Sequence, residues 1–230
     1  MSERRGRPGR PRHLPDNNGY GMSPREQILD AAARLFVEKG FADTSTRDIA
    51  ESVGIRQASL YYHFATGKEE ILTEVVGASI RPTLEQVDVV ENLTEDPATA
   101  LYLLTLIDVH TLASAPHNSG LIGMLPDARD KVPDFAVQHK ELTSAYHRIG
   151  RRVATHAVLD STGPQLGSLL ITSAENVINW IKDGDYNRVK SPYVIASSSL
   201  RICGVGELAV DIAKANAQVL LPQFEEEQEQ

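Results

Sequence analysis

From Ser23 onward the chain sets short polar or glycine punctuation between apolar residues that recur at helical spacing. Ser23-Pro24-Arg25-Glu26 has the form of a capping box with proline in the first turn. Ile28, Ala32, Leu35 and Phe36 then fall on one helical face, and Gly40 is placed to end the helix in a left-handed conformation. Ser45 opens a second short helix, with Asp48 three residues on, Ile49 and Ala50 facing inward and Gly54 closing it. A third is predicted over about Gln57 to His63 and a fourth from near Lys68. Three short helices separated by tight glycine-containing turns outline a helix-turn-helix unit.

The remainder also reads as helical. Asp96-Pro97 opens "ATALYLLTLIDVHTLAS", and a shorter piece is expected around Leu121–Arg129. A long helix is predicted from about Pro133 to Val158 on the stripe Phe135, His139, Leu142, Tyr146, Ile149 and Val153. Pro164 begins another, with Leu166, Leu170, Val177, Ile178 and Ile181 on one face. Two last helices are expected over Pro192–Ile202 and Glu207–Leu221; within the first, "YVIA" at 193–196 is ambiguous between helix and strand. The expected fold class is all-α: a disordered arm over 1–22, a three-helix unit over 23–68, a larger helical unit over 69–222 and a frayed acidic tail over 223–230.

Composition changes this picture at one end only. The 230 residues carry a formal net charge of -8, yet residues 1–68 hold 11 Lys/Arg against 8 Asp/Glu and residues 69–230 hold 12 against 23. A local basic footprint on an acidic protein is the signature expected of a nucleic-acid-binding end. The lone Cys203 excludes an intrachain disulfide, and no apolar run reaches the roughly 18 residues of a membrane span. A cytoplasmic protein with no membrane partner is expected.

"GFADTSTRDIAESVGIRQASLYYHFATGKEEIL" (40–72) resembles the DNA-binding domain of the TetR family of transcriptional regulators. Gly40-Phe41, Thr44-Ser45, Arg47-Asp48-Ile49-Ala50, Gly54-Ile55 and Leu60-Tyr61-Tyr62-His63-Phe64 carry the resemblance, with Lys68 beyond. It implies DNA contacts at Thr46, Arg47, Gln57, Ala58, Ser59, Tyr61, Tyr62, His63 and Lys68, with Leu60 and Phe64 as core. The residue types agree with that assignment. Gln57 can pair bidentately with adenine, Ala58 can touch a thymine methyl, and Ser59 can meet either donors or acceptors. Two positions depart from the family pattern. Arg56 stands where a capping serine or threonine is usual, so it is expected to leave the third helix weakly capped and to take a phosphate itself. Lys68 lies four positions after Phe64 rather than the usual three, which changes the reach of the lysine.

The resemblance further implies a homodimer on a palindromic double-stranded DNA operator and a C-terminal unit that encloses a small-molecule effector. The candidate lining is Leu103, Ile107, His110, Met124, His139 and Tyr146, a few polar groups among apolar ones. The helix over 164–182 and those after Pro192 are the implied dimer surface. The alternative is a small-molecule-binding or scaffold protein that keeps the fold without operator-specific regulation.

No catalytic residue, metal site or cofactor is expected. "ATGKEE" fails the phosphate-loop pattern at Tyr62 and Glu69, and the histidines match no standard ligand spacing. The arm ahead of the first helix carries Arg5, Arg7, Arg10 and Arg12 as candidate DNA contacts. Gly-Arg-Pro occurs twice there, at 6–8 and 9–11, as in the core of an AT-hook that lies in an A·T-rich minor groove. A generic cationic tail attracted to phosphates is the equal alternative.

Overall fold

The computed structural model describes residues 21–124, 128 and 131–228, with the backbone alone for Met124 and for 222–228. The arm arginines Arg5, Arg7, Arg10 and Arg12 lie outside the described residues. Every described element is helical. The first three helices are α1 (Pro24–Lys39), α2 (Thr46–Val53) and α3 (Gln57–His63). Both expected capping boxes form. Ser23 Oγ accepts from Glu26 N at 3.3 Å while Glu26 Oε2 accepts from Ser23 N at 2.6 Å. Ser45 and Asp48 repeat the exchange at 3.1 and 2.8 Å. Gly40 does cap α1, but with φ 86° and ψ 160°. That is the extended mirror region, open essentially to glycine alone, rather than the expected left-handed helical one.

α4 (Lys68–Gly77) leaves the three-helix head and buries Ile71, Leu72, Val75 and Val76 between α1 and the body. α5 (Arg81–Leu93) follows, where the sequence pattern predicted no helix. α6 (Pro97–Ser114) is the axis of the body. Every residue from Thr99 to Val109 is buried, the mark of a helix enclosed on all sides. Around it pack α5, α8 (Pro133–Val153), α10 (Leu166–Asp183), α11 (Ser191–Ile202) and α12 (Glu207–Gln228). A short 3-10 turn at Pro116–Asn118 and α7 (Gly120–Met124) join α6 to the segment before α8. No single helix among the described residues is long and apolar enough to cross a membrane.

Helix boundaries differ from expectation in the second half of the chain. The helix expected to run to Val158 stops at Val153, and α9 (His156–Thr162) begins anew. Ala154 turns extended (ψ 140°), because the Thr155 amide donates to the Cys203 carbonyl at 3.0 Å rather than to its own helix. The last helix continues past Leu221 to Gln228, into the segment expected to fray. The ambiguous "YVIA" lies within α11.

Polar contacts join α1 of the head to α4 and to the turn after α6. Arg25 of α1 makes a bidentate pair with Glu74 of α4 and lays its guanidinium 4.6 Å from the Phe64 ring centroid. His117 Nε2 lies 2.9 Å from Asp30 Oδ1 of α1. His117 and Asn118 both hold positive φ, 52° and 55°, a strained conformation for side-chain-bearing residues.

Candidate functional site

The surface presented by α3 is built from the inside outward. Leu60 and Phe64 are fully buried and fasten one face of a seven-residue helix to the head core with Ile49 and Phe36. The opposite face is left to solvent: Gln57, Ala58 and Ser59 are exposed on the first turn and Tyr62 is 86% exposed on the second. Such a helix, with small and amide-bearing residues at its N-terminal end, has the shape of one that enters a major groove.

A hydrogen-bonded chain sets the side chains on this surface. Gln57 Nε2 donates to Thr46 Oγ1 at 2.8 Å, and that hydroxyl lies 3.4 Å from the Tyr61 hydroxyl. Residues assigned to DNA from both α2 and α3 are thereby brought together. Arg47 sits on the outer side of α2, paired with Glu51 at 2.8 Å in the open, where a pair of this kind is readily exchanged for a phosphate. His63 is half-buried, its ring edge-on to Tyr62 at 5.3 Å.

Arg56 holds the N-cap position in extended geometry and provides no side-chain cap. Arg56→Ser should therefore add a cap worth about 1 kcal/mol. In a protein of this size that raises Tm by about 2–4 °C, readable by calorimetry. No gain would mean that serine cannot reach the Ser59 amide.

The extra residue between Phe64 and Lys68 is absorbed by Gly67, which has φ 73° and lies against the Tyr61 ring: an added Cβ would fall 3.0 Å from Tyr61 Cε1. Lys68 consequently points back into the head. Its Nζ donates to the Phe41 carbonyl at 2.7 Å and to the Ala42 carbonyl at 3.4 Å, and sits 4.2 Å from the Phe41 ring centroid. The ammonium assigned to a phosphate is thus already engaged, and it ties α4 to the turn after α1.

The body holds a cavity of about 170 Å³ between the turn after α4, α6, α7, α8 and α10. Of the six candidate lining residues only His139 reaches it. Tyr146 lies behind, its hydroxyl donating to Asp108 Oδ2 at 2.9 Å. Leu103 is sealed in the core, and Ile107 and His110 line a separate, wider groove with Arg188 and Tyr193. The side chain of Met124 lies outside the described residues. The division between the two cavities has a simple cause: α6 is apolar on every side, so periodicity cannot say which face meets which cavity.

Sequence reading missed Asp108, Thr83 and Glu175. Asp108 is 2% exposed, accepts additionally from Thr83 Oγ1 at 3.3 Å, and burial pushes its carboxyl up to about 7. An acidic residue inside the apolar run "TLIDVHTLAS" was the signal that could have found it. His139 Nε2 stands 2.8 Å from Glu175 Oε1 across the α8–α10 interface.

The model for "Bacterial regulatory proteins, tetR family" matches residues 28–75, which contain α2, α3 and most of the head core. The chain is 42% identical across 62 residues to the HTH-type transcriptional repressor KstR2 of Mycolicibacterium smegmatis, a stretch covering 27% of this chain and 30% of that protein. The crystal structure of Mycobacterium smegmatis AmtR superimposes with a TM-score of 0.75 at 35% identity, covering 87% of this chain and 96% of that one. PfmR from Thermus thermophilus shares the fold at 23% identity, with a TM-score of 0.57 over 78% of this chain and 98% of that one. Head and body are thus matched together along almost the whole of a relative at 35% identity, and the chain belongs to the TetR family of bacterial regulatory proteins.

Proposed function

We propose that the protein is a homodimeric transcriptional repressor that binds a palindromic operator and is released by a small molecule held in the cavity of the body. The observation that carries this is the exposed first turn of α3, oriented through the Gln57–Thr46–Tyr61 chain on a head similar to that of the repressor KstR2. One head reads only a few base pairs, so two copies on half-sites about one helical turn (~34 Å) or a multiple of it apart are needed. The outer faces of α10 and α11 are suited to the dimer, since Leu169 and Val194 stand about half exposed there beside Trp180 and Ile195.

The effector step is supported by continuity. The turn after α6 presents His117 to Asp30 of the head, bonds Asn118 Nδ2 to the Ile178 carbonyl at 2.9 Å, and runs directly into Gly120 on the cavity wall. A guest that favours one position of this turn shifts the heads by as much as its affinity differs between the two positions.

The test is binding to the chain's own upstream DNA at several salt concentrations. Gln57→Ala should reduce discrimination between operator and scrambled sequence by about 1–3 kcal/mol, the value of one bidentate base contact. Lys68→Ala should weaken binding to both alike, because it loosens the junction of α4 with the head. Absence of sequence-selective, salt-dependent binding by the unaltered protein would sink the proposal.

A further inference from the structure

The cavity has apolar walls and an uneven charge. Ile80, Leu112, Phe135, Leu142, Ile171 and Ile178 supply the walls, and among the described residues the titratable lining groups are Asp108, His139 and Glu175, with no lysine or arginine. His139 and Glu175 answer one another. Asp108 is different: both of its oxygens receive hydrogen bonds, but from the neutral hydroxyls of Thr83 and Tyr146. A carboxylate oxygen has two acceptor sites, so each retains capacity toward the cavity. Two donors aimed at one carboxyl fit its ionised form, and a buried carboxylate is stable only when a positive charge is also supplied. Among the described residues the wall carries no lysine or arginine and its imidazole, His139, is paired with Glu175, so the missing partner of Asp108 has the chemistry of a cation.

We propose that the cavity takes a small organic cation, an amine or amidine with an apolar body, whose N–H groups meet Asp108 and whose body lies against Phe135, Leu142 and Ile178. Size bounds the ligand. A cavity of about 150 Å³ lined by apolar side chains accepts benzene, so 170 Å³ holds a single ring bearing one short head group. Carboxylates are disfavoured, because they would bring a second negative charge to Asp108 and Glu175 with no basic side chain to receive it. This rests on the reading of the cavity as the effector site and adds the ligand's chemical class.

The experiment uses the full chain and three probes of equal size: benzylamine, benzyl alcohol and benzoate. Titration calorimetry should show benzylamine binding saturably, at least tenfold tighter than benzyl alcohol, with benzoate weakest. Asp108→Asn keeps the shape and removes the charge; its one carbonyl oxygen keeps one acceptor contact, and its NH2 turns the other into a bond that the facing hydroxyl accepts. It should lower benzylamine affinity tenfold or more and leave benzyl alcohol within about twofold. Benzoate binding as tightly as the amine overturns the inference, as does an unchanged amine-to-alcohol ratio in Asp108→Asn, or no binding by any probe. Release of operator DNA is scored separately. Asp108-dependent amine binding with the DNA retained refutes the effector role but not the ligand class. Release of DNA by a carboxylate, with no amine binding, refutes the class but not the role.

Discussion

Gly167→Ala should lower Tm by about 4–8 °C, although alanine is the better helix former. Helix propensity alone favours alanine over glycine by about 1 kcal/mol in a helix interior. Packing reverses the sign. α10 crosses α8 at this point so closely that a Cβ on residue 167 would lie 2.6 Å from the Thr143 carbonyl oxygen and 2.8 Å from His147 Cβ. Neither is the loose end of a flexible side chain, so one helix must move. Forced overpacking of this kind costs typically 1–3 kcal/mol and occasionally more. With backbone as the obstacle the cost is at the top of that range, about 3 kcal/mol; less the propensity gain of about 1 kcal/mol it leaves a net loss of about 2 kcal/mol, which corresponds to the stated shift at this chain length.

Two companions make the comparison internal. Gly150 sits on the partner helix with its missing Cβ 2.5 Å from Leu170 Cδ1, a side-chain terminus that can rotate away, so Gly150→Ala should cost less than Gly167→Ala. Gly206→Ala, where an added Cβ meets nothing within 4 Å, should change Tm least. Any other order would mean that the α8–α10 crossing is not set by backbone contact. The crossing also matters for function, because α8 contributes Phe135, His139 and Leu142 to the cavity and α10 contributes Ile171, Glu175 and Ile178. A variant that parts the helices should therefore also lose small-molecule binding.

What the sequence disclosed divides by range. The head was legible because its rules are local: Ser23 with Glu26, and Ser45 with Asp48, fix helix starts within three residues. The spacing of Leu60 and Phe64 fixes which face of α3 turns inward. α5 was missed because its start carries no capping side chain: Ile80 holds the N-cap position and β-branched valines dominate the apolar face. The break after Val153 was invisible because its cause, the Thr155–Cys203 bond, joins residues far apart in sequence. Which residues line which cavity was hidden for a related reason. Leu103, Ile107 and His110 share α6 with Asp108, but enclosure of that helix on every side left periodicity nothing to distinguish. The more telling feature was chemical, a single carboxylate in an apolar helix.

That carboxylate should also make the fold pH-dependent in a direction opposite to that of most acidic groups. The groups facing Asp108 are Thr83 of α5, Tyr146 and His139 of α8, and Glu175 of α10. Burial dominates, Glu175 adds repulsion, and the bonds from Tyr146 and Thr83 with the nearby His139 only partly offset both, so the carboxyl titrates near 7. In the unfolded chain it titrates at the ordinary carboxylate value of 3.8. The folded state therefore holds the proton more tightly. Its contribution to stability is full below about pH 4, declines as pH rises, and is lost once pH passes 7. One pKa unit is worth 1.36 kcal/mol, so the decline reaches about 4 kcal/mol at most and about 2–3 kcal/mol between pH 5 and 8. Asp108→Asn cannot ionise. Its stability relative to the unaltered protein should rise by that amount across the same interval, measured by urea unfolding at each pH. Parallel profiles for the two proteins would show that Asp108 is not buried unpaired. A bound cation would take the proton's place, so saturating benzylamine should flatten the pH profile of the unaltered protein while leaving that of Asp108→Asn as it was.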